Sequence, residues 1–408
     1  MAFKKIDFKT KGFLKKTMED YNTQAMNAHA QGIPVAWVTA VFPVELLYAM
    51  DIFPYYPENF GAASGTHRRT EELSLIAERR GYSNQYCSYA KAGLGLMYGN
   101  AEQAGKEDFG GEMPQPDLLL PSNIQCTPLG KWFEITAKYY NKPLFLMDSP
   151  QIEASSWESQ KAYFLQQIHE LVAFLETSTG RKLDLDRLCE VLNLSTQACD
   201  LWNQVLLFAK NKPARITYWD ACILMGPIVC WRGRPEAVHY YTELVKELEE
   251  RAASDLVAVE GEKIRLYWDH IPIWPKMRYF AEFFGNRQTS IVCSLYTHSW
   301  AYKFDAAHPL ETLAESYMRE FVNYRFDQRV EKKIKLMREY EVDGFIFNLN
   351  DSCKPNSLAL IEKKNVISER LGIPGMLLEA DMCDPRFFAE GPIQNRMESF
   401  LEMIGSKK

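Results

Sequence analysis

Three cysteines stand where chemistry is most easily placed. Cys87 lies in the polar stretch Asn84-Gln85-Tyr86-Cys87-Ser88-Tyr89, ahead of a helical pattern. Cys126 follows an apolar run that ends near Pro121, in Ser122-Asn123-Ile124-Gln125-Cys126, and Cys353 follows another that ends near Leu349, in Asn350-Asp351-Ser352-Cys353-Lys354-Pro355. In open parallel sheets ligands gather beyond the carboxyl ends of the strands, so loops of this kind can bring distant thiolates together. Thiolate is the natural ligand of iron–sulfur iron, and three of them could hold one cluster. The bland alternative is that a free cysteine is a small buried hydrophobe. Cys189, Cys199, Cys222 and Cys230 fall on helical patterns and Cys293 inside a strand, and these five are read as core packing. Cys383 also follows a strand and stays open. No Cys-x-x-Cys pair anchors Cys87, Cys126 and Cys353, so spacing alone leaves their joint role undecided.

The remaining motifs exclude more than they assign. The chain carries no Walker A motif. Gly93-Leu94-Gly95-Leu96-Met97-Tyr98-Gly99 is not a dinucleotide fingerprint and follows no clear strand, so it is read as helix packing. The charged stretch Glu243 to Arg251 is read as a solvated helix face.

Positioning such loops requires strands that alternate with helices. Val35–Ala40, Asp117–Pro121 and Leu144–Asp148 read as buried strands, with Pro43–Met50 helical between them. Ile264–Trp268, Ser290–Tyr296, Gly344–Leu349 and Met376–Glu379 read as four more. Helical patterns cover Lys276–Phe284, Leu310–Tyr340, Ser357–Leu371 and Gln394–Ile404, and Gly372-Ile373-Pro374 supplies a helix stop. The stretch Ser156 to Val257 is helical throughout, broken at Gly180, Pro213 and Gly233-Arg234-Pro235. The expected fold is α/β: two small doubly wound parallel-sheet domains, residues 1–155 and 261–408, joined by a helical region over 156–260.

Composition is that of a soluble globular protein. The 408 residues are 47% hydrophobic and suit more than one domain, and a formal charge of -6 argues against a large nucleic-acid surface. Met1 to Asp20 is lysine-rich and lacks the apolar core of a secretory signal. The longest apolar run, Ala221 to Trp231, is interrupted by Gly226-Pro227 and is too short to cross a bilayer. A cytoplasmic protein without membrane or nucleic-acid partners is expected. In that compartment nine cysteines, an odd count, suit free thiols or metal ligands better than disulfides.

Several stretches together carry a resemblance. They are Tyr86-Cys87-Ser88-Tyr89-Ala90-Lys91, Cys126-Thr127-Pro128-Leu129-Gly130-Lys131-Trp132-Phe133-Glu134 and Asp351-Ser352-Cys353-Lys354-Pro355-Asn356-Ser357. Pro43-Val44-Glu45-Leu46-Leu47, Tyr56-Pro57-Glu58-Asn59, Ile271-Pro272-Ile273-Trp274-Pro275 and Asp381-Met382-Cys383-Asp384-Pro385-Arg386 add to them. In this order, over nearly the whole chain, they resemble the 2-hydroxyacyl-CoA dehydratase and benzoyl-CoA reductase family, most of all the larger subunit of heterodimeric dehydratases of the 2-hydroxyisocaproyl-CoA type.

The resemblance implies one 4Fe-4S cluster per chain on Cys87, Cys126 and Cys353, with one iron site open. It implies an oxygen-sensitive hydro-lyase of anaerobic amino-acid fermentation that converts a 2-hydroxyacyl-CoA into a 2-enoyl-CoA. One electron added to the thioester carbonyl gives a ketyl radical that expels the 2-hydroxyl, and the electron is recovered at the end. The implied partners are a second homologous cluster-bearing subunit, an ATP-hydrolysing iron–sulfur activator that supplies the electron, and the acyl-CoA substrate. Glu58 corresponds to a family carboxylate near the cluster, able to ligate iron or move a proton. His298, Trp300 and Trp274 follow strands and are candidates for the acyl pocket, as is His270. A histidine in such a place is as readily a structural hydrogen-bonder. Where related dehydratases can place a serine near the open iron, this chain has Ala40. Thr39 is the candidate substitute, although neighbouring strand residues point to opposite faces. Two further functions therefore stay open: a subunit of an ATP-dependent benzoyl-CoA reductase, and a non-catalytic electron-transfer protein.

Overall fold

The computed structural model describes residues 7–102, 113–254 and 256–406. Its strands form two sheets, parallel throughout. The first pairs β1 (Val35–Val38), β2 (Phe53–Tyr55) and β3 (Leu118–Leu120) in the order β2-β1-β3. The second pairs β4 (Ile264–Asp269), β5 (Thr289–Cys293), β6 (Gly344–Leu349) and β7 (Gly375–Glu379) in the order β5-β4-β6-β7. Parallel strands are covered on both faces and read as near-continuous apolar runs; β1 and β3 are apolar and buried at every position, and β4 is buried throughout although it carries Arg265 and Asp269. In each sheet the chain starts at an inner strand, adds a neighbour on one side, then crosses to the other. Such a reversal opens a crevice at the carboxyl ends, here between β1 and β3 and between β4 and β6. The doubly wound α/β architecture expected from the sequence is the one observed.

Helices α1 (Lys11–Asn27), α2 (Val44–Ala49), α3 (Pro57–Thr66), α4 (Thr70–Arg79), α5 (Ser88–Glu102) and α6 (Thr127–Tyr140) surround the first sheet. On α5 a Cβ at Gly95 would run into the Leu73 carbonyl of α4, and one at Gly93 into the Trp132 ring of α6. The glycine-rich stretch is a close helix contact, as the sequence suggested. Between the sheets run α7 (Trp157–Thr179), α8 (Leu185–Leu207), α9 (Tyr218–Leu224), α10 (Gly226–Cys230) and α11 (Pro235–Ala253). After them come α12 (Met277–Gly285), α13 (Leu295–His298), α14 (Pro309–Met318), α15 (Phe326–Glu339), α16 (Lys354–Ser357), α17 (Leu360–Leu371) and α18 (Glu390–Gly405). The middle helices are not a spacer. One buried apolar cluster runs from Leu14 through Trp202 and Trp231 to Cys383 and takes in parts of both sheets. Among the described residues no helix is long and apolar enough to cross a membrane.

Four elements differ from the sequence reading. Leu144–Asp148 makes only two isolated bridges to the β3 segment, Leu119 to Leu144 and Ser122 to Met147. The amides of Phe145 and Met147 donate to Leu119 and Pro121, and those of Leu119 and Asn123 donate back. Between them Pro121 has no N–H to give, so the ladder breaks there. Strand β2 has no counterpart in the sequence pattern, because it is only three residues long and contains Pro54, which an edge strand tolerates. The strand expected over Ser290–Tyr296 stops at Cys293, because the Ser294 hydroxyl accepts from the Tyr296 amide and starts α13. The helix expected over Leu310–Tyr340 is two, α14 and α15, with a turn at Phe321–Asn323. That break brings Glu320, Phe321 and Val322 to the wall of a cavity.

Candidate functional site

The carboxyl ends of the two sheets face one cavity of about 630 Å³. Ala40 and Val41 reach it after β1, Gln125 and Cys126 after β3, Trp274 after β4, Trp300 after β5, Cys353 after β6 and Met382 after β7. Glu58 comes from the first turn of α3, and Cys87 from the loop ahead of α5. The three cysteines singled out in the sequence are thus brought to one space from three separate loops.

Each of these cysteines immediately precedes a helix. Backbone amides of Ala90 and Tyr89 point to the Cys87 sulfur, that of Leu129 to Cys126 and that of Asn356 to Cys353. Such N–H groups stabilise negative charge on sulfur. Burial outweighs them while the thiols are bare. It pushes Cys87 and Cys353 up to about 12 and Cys126 well above the ordinary thiol range, the neighbouring sulfurs adding to Cys126. These groups are protonated at neutral pH, poor nucleophiles that ionise only opposite a cation such as iron. Among the described residues no three His, Cys, Asp or Glu side chains close around a single ion. A thiol-only donor set spread around one apolar space has the chemistry of an iron–sulfur ligand set.

Glu58 forms the polar part of the wall. Its Oε2 accepts from the Ala40 amide at 2.6 Å and its Oε1 from Gln125 Nε2 at 3.2 Å, while Gln125 Oε1 accepts from the Val41 amide at 2.9 Å. Burial raises the carboxyl to about 7 against these hydrogen bonds. Ala40 presents a methyl group. Thr39 does not replace a serine here: it is fully buried, its hydroxyl accepts from the Ser122 amide at 3.1 Å, and it is absent from the cavity wall.

Trp274 lines the cavity with its indole N–H donating to the Tyr89 hydroxyl at 2.6 Å, and Trp300 lines it above the Arg232 guanidinium. His298 is placed differently from expectation. Its Nδ1 meets the Ser294 carbonyl at 2.7 Å and its Nε2 the Tyr340 hydroxyl at 3.0 Å, and it lines a neighbouring cleft. His270 accepts the Ile271 amide on Nδ1 and also stays off the wall. Burial lowers both imidazoles to about 4, which keeps them neutral hydrogen-bonders.

The other cysteines sort by burial. Cys199, Cys222, Cys230 and Cys293 are buried as expected, although Cys222 also touches the cavity from α9. Cys189 is only half-buried and points to the Ala306 carbonyl. Cys383 turns from the wall to the Gly61 carbonyl at 3.4 Å.

The motifs flanking Cys87 and Cys353 are tied together behind the site. Ser352 bonds Asp381 and receives the Ser88 amide at 3.2 Å. Buried Lys91 on α5 donates to Glu78 at 3.0 Å, to the Asn84 carbonyl at 2.6 Å and to Asp384 at 3.4 Å, and Arg386 bonds both carboxylates. Sequence reasoning had no role for this quartet, for Gln125 or for Glu320, because each acts through partners far along the chain. Glu320 is a second buried carboxyl on the wall, raised by burial to about 7.

The 2-hydroxyglutaryl-CoA dehydratase, D-component family matches residues 39–404. The (R)-2-hydroxyisocaproyl-CoA dehydratase alpha subunit of Clostridioides difficile is 31% identical over 94% of this chain and 93% of its own length. A benzoyl-CoA reductase subunit of Thauera aromatica is 32% identical over 89% of this chain and 87% of its own. The lactoyl-CoA dehydratase alpha subunit of Anaerotignum propionicum is 29% identical over 93% of each.

Proposed function

The chain belongs to the 2-hydroxyglutaryl-CoA dehydratase, D-component family, and from that premise we propose that it is a catalytic subunit of a 2-hydroxyacyl-CoA dehydratase, removing water from a 2-hydroxyacyl-CoA to leave a 2-enoyl-CoA. The observation that carries the reading is the meeting of Cys87, Cys126 and Cys353 with Glu58 on one cavity. The three thiolates would hold a 4Fe-4S cluster, one per chain. Bound there, it would supply single electrons and an open iron position able to polarise a substrate oxygen. Glu58, raised to about 7, can hold a proton at the cavity wall for the departing hydroxyl or take one from the substrate carbon. Trp274, fixed by Tyr89, and Trp300 give the acyl chain flat apolar walls and keep water out.

The partners in this reading are a second homologous cluster-bearing subunit and a separate ATP-hydrolysing iron–sulfur activator. That two relatives are named as alpha subunits supports the first. The family resemblance supports the second, together with the lack of a Walker A motif in this chain. The setting is an oxygen-sensitive, cytoplasmic enzyme of anaerobic metabolism.

Ala40 favours a second reading, a subunit of a benzoyl-CoA reductase, whose aromatic thioester has no 2-hydroxyl to meet. The relative named as a benzoyl-CoA reductase subunit is 32% identical but over less of this chain, 89% against 94% for the 2-hydroxyisocaproyl-CoA dehydratase subunit, which makes this the weaker alternative. The deciding experiment is anaerobic purification with the partner subunit, then assay of 2-hydroxyacyl-CoA and benzoyl-CoA with activator and ATP. Dehydration that persists over many turnovers after one activation supports the first reading; ATP consumed in every turnover supports the second. Ala40→Ser sharpens the comparison. A dehydratase keeps or gains activity, because the hydroxyl can donate to the leaving oxygen. A reductase loses activity, because an unpaired hydroxyl beside an aromatic ring costs about 1–3 kcal/mol. Benzoyl-CoA reduction that falls in the variant, with no dehydration by either protein, would overturn the dehydratase.

A further inference from the structure

The two tryptophans on the cavity wall are fixed in different ways. The indole N–H of Trp274 donates to the Tyr89 hydroxyl at 2.6 Å. That of Trp300 is buried and has no hydrogen-bond partner among the described residues. Trp300 instead lies against a cation: the guanidinium carbon of Arg232 stands 5.5 Å from its ring centroid. Arg232 is fully buried, two residues beyond the end of α10.

That guanidinium is gripped from several directions. Its Nη2 donates to the Phe42 carbonyl at 2.9 Å and to the Tyr317 hydroxyl at 3.0 Å, its Nε to the same hydroxyl at 3.2 Å, and its Nη1 to the Val229 carbonyl at 3.0 Å. Tyr317 donates in turn to Glu45 Oε2 at 2.7 Å. The other oxygen of Glu45 accepts from Ser195 at 2.7 Å and lies 3.5 Å from Arg232 Nε. Phe42 follows Val41, and Val41, Val229 and Trp300 all line the cavity. One buried side chain thus ties together the loop after β1, the end of α10 and the segment after β5. Stability alone does not call for it, because apolar residues of similar volume often replace a buried ion pair at no cost. What they cannot do is bond two carbonyls in different directions while laying a charged plane against a ring.

We propose, on the premise that the substrate is the acyl thioester, that Arg232 is a positioning residue that determines acyl specificity: it sets the width of the pocket by holding Trp300 at a fixed distance from the Val41 and Val229 walls. Trp300 touches the acyl chain, and Arg232 acts only through it. Without the guanidinium the Trp300 ring has no polar anchor and is free to tilt. A tilted wall measures a chain poorly, because a gap of about 0.5–1 Å already forfeits a quarter to a half of each contact. Glu45 neutralises the cation, so the anchor can stand behind an apolar cavity without drawing in water or a counterion. Lysine at this position keeps the charge beside Glu45. Its compact ammonium cannot serve both carbonyls and also present a plane to Trp300.

The test is equilibrium binding of saturated acyl-CoA thioesters of increasing chain length, which have no 2-hydroxyl to lose, to the anaerobically purified enzyme with its partner subunit. While the chain packs against Trp300, each added methylene should tighten binding about fourfold. In Arg232→Lys and in Trp300→Ala that step should fall to about twofold or less. The double variant should match Trp300→Ala, since Arg232 acts through that ring. Ser195→Ala is the structural control: it removes a bond to the same Glu45 and reaches no wall residue, so it should lower the thermal unfolding midpoint and keep the fourfold step. Should Arg232→Lys fail to fold, Tyr317→Phe, which removes the hydroxyl gripping the guanidinium, carries the same expectation. A full fourfold step in the folded variant, or a further loss in the double variant, would overturn the proposal. Hydrogen exchange without ligand separates it from the thioester reading. Peptides carrying Phe42 and Trp300 should exchange faster in Arg232→Lys than in wild type, and unchanged in Ser195→Ala. Altered exchange in an enzyme that binds no acyl-CoA removes the thioester and leaves Arg232 holding the wall. Unaltered exchange with the fourfold step retained removes the role of Arg232 and leaves the thioester.

Discussion

Replacing Lys91 by methionine should separate the two halves of the site, and the structure sets the size of the effect. Lys91 is fully buried, and its ammonium spends its three N–H groups on Glu78, the Asn84 carbonyl and Asp384. Methionine keeps the length and the apolar stem but removes the charge. Breaking a buried ion pair by removing one partner costs about 3–5 kcal/mol. Arg386 remains bonded to both carboxylates, so part of the loss is offset and about 2–4 kcal/mol is expected. The strain falls between α5, which begins one residue after Cys87, and the loop whose Asp381 bonds Ser352 beside Cys353. Urea unfolding under anaerobic conditions gives the stability, and iron per chain gives the consequence for the site. Both should fall in Lys91→Met. A midpoint shift worth less than about 0.5 kcal/mol, the range of an ordinary surface substitution, with iron unchanged, would refute the idea that this quartet spaces the cysteines.

Anaerobic preparations should carry about four irons per chain; Cys87→Ala, Cys126→Ala and Cys353→Ala should each lower iron and visible absorbance sharply, whereas Cys189→Ala and Cys199→Ala should not. Retention of full iron in all three ligand variants ends the assignment. Gly95→Ala should destabilise the protein by about 1–3 kcal/mol or more, because its methyl meets the Leu73 backbone carbonyl rather than a movable side chain; a neutral result in thermal unfolding would disprove close α4–α5 packing there. Glu320 binds a proton more tightly folded, at about 7, than at its ordinary 4.5. Its contribution to stability is therefore full below about pH 4.5 and is lost as pH rises to about 7, by at most about 3 kcal/mol. With Lys332 the nearby charge, Glu320→Gln should gain on wild type between pH 5 and pH 8 in urea midpoints; an equal difference at both pH values would count against it.

Local signals reported what the backbone does nearby. Apolar runs without alternation marked buried parallel strands, and the loops carrying Cys126 and Cys353 could be placed at strand ends because a strand's direction is written in its own residues. The glycines of α5 were read as packing for want of a strand before them, and the order of short motifs identified the family before any contact was known. Failures came where a partner decides. Nothing near Pro121 in sequence says that the missing N–H falls at a rung needed by residues 144–147, and Ser294 ends β5 only because its hydroxyl finds the Tyr296 amide. Thr39 was a candidate until the Ser122 amide claimed its hydroxyl, and His298 until Ser294 and Tyr340 took both ring nitrogens. The site itself is a product of tertiary structure. Cys87, Cys126 and Cys353 stand on loops that no local rule brings together, and the second carboxyl, Glu320, reaches the wall only through a break in a helical pattern. Periodicity and turn chemistry express energies of neighbouring residues, so one chain can show them. Convergence depends on long-range burial and on hydrogen bonds such as those of Lys91 and Ser352, which exist only once both sheets are folded against the same helices.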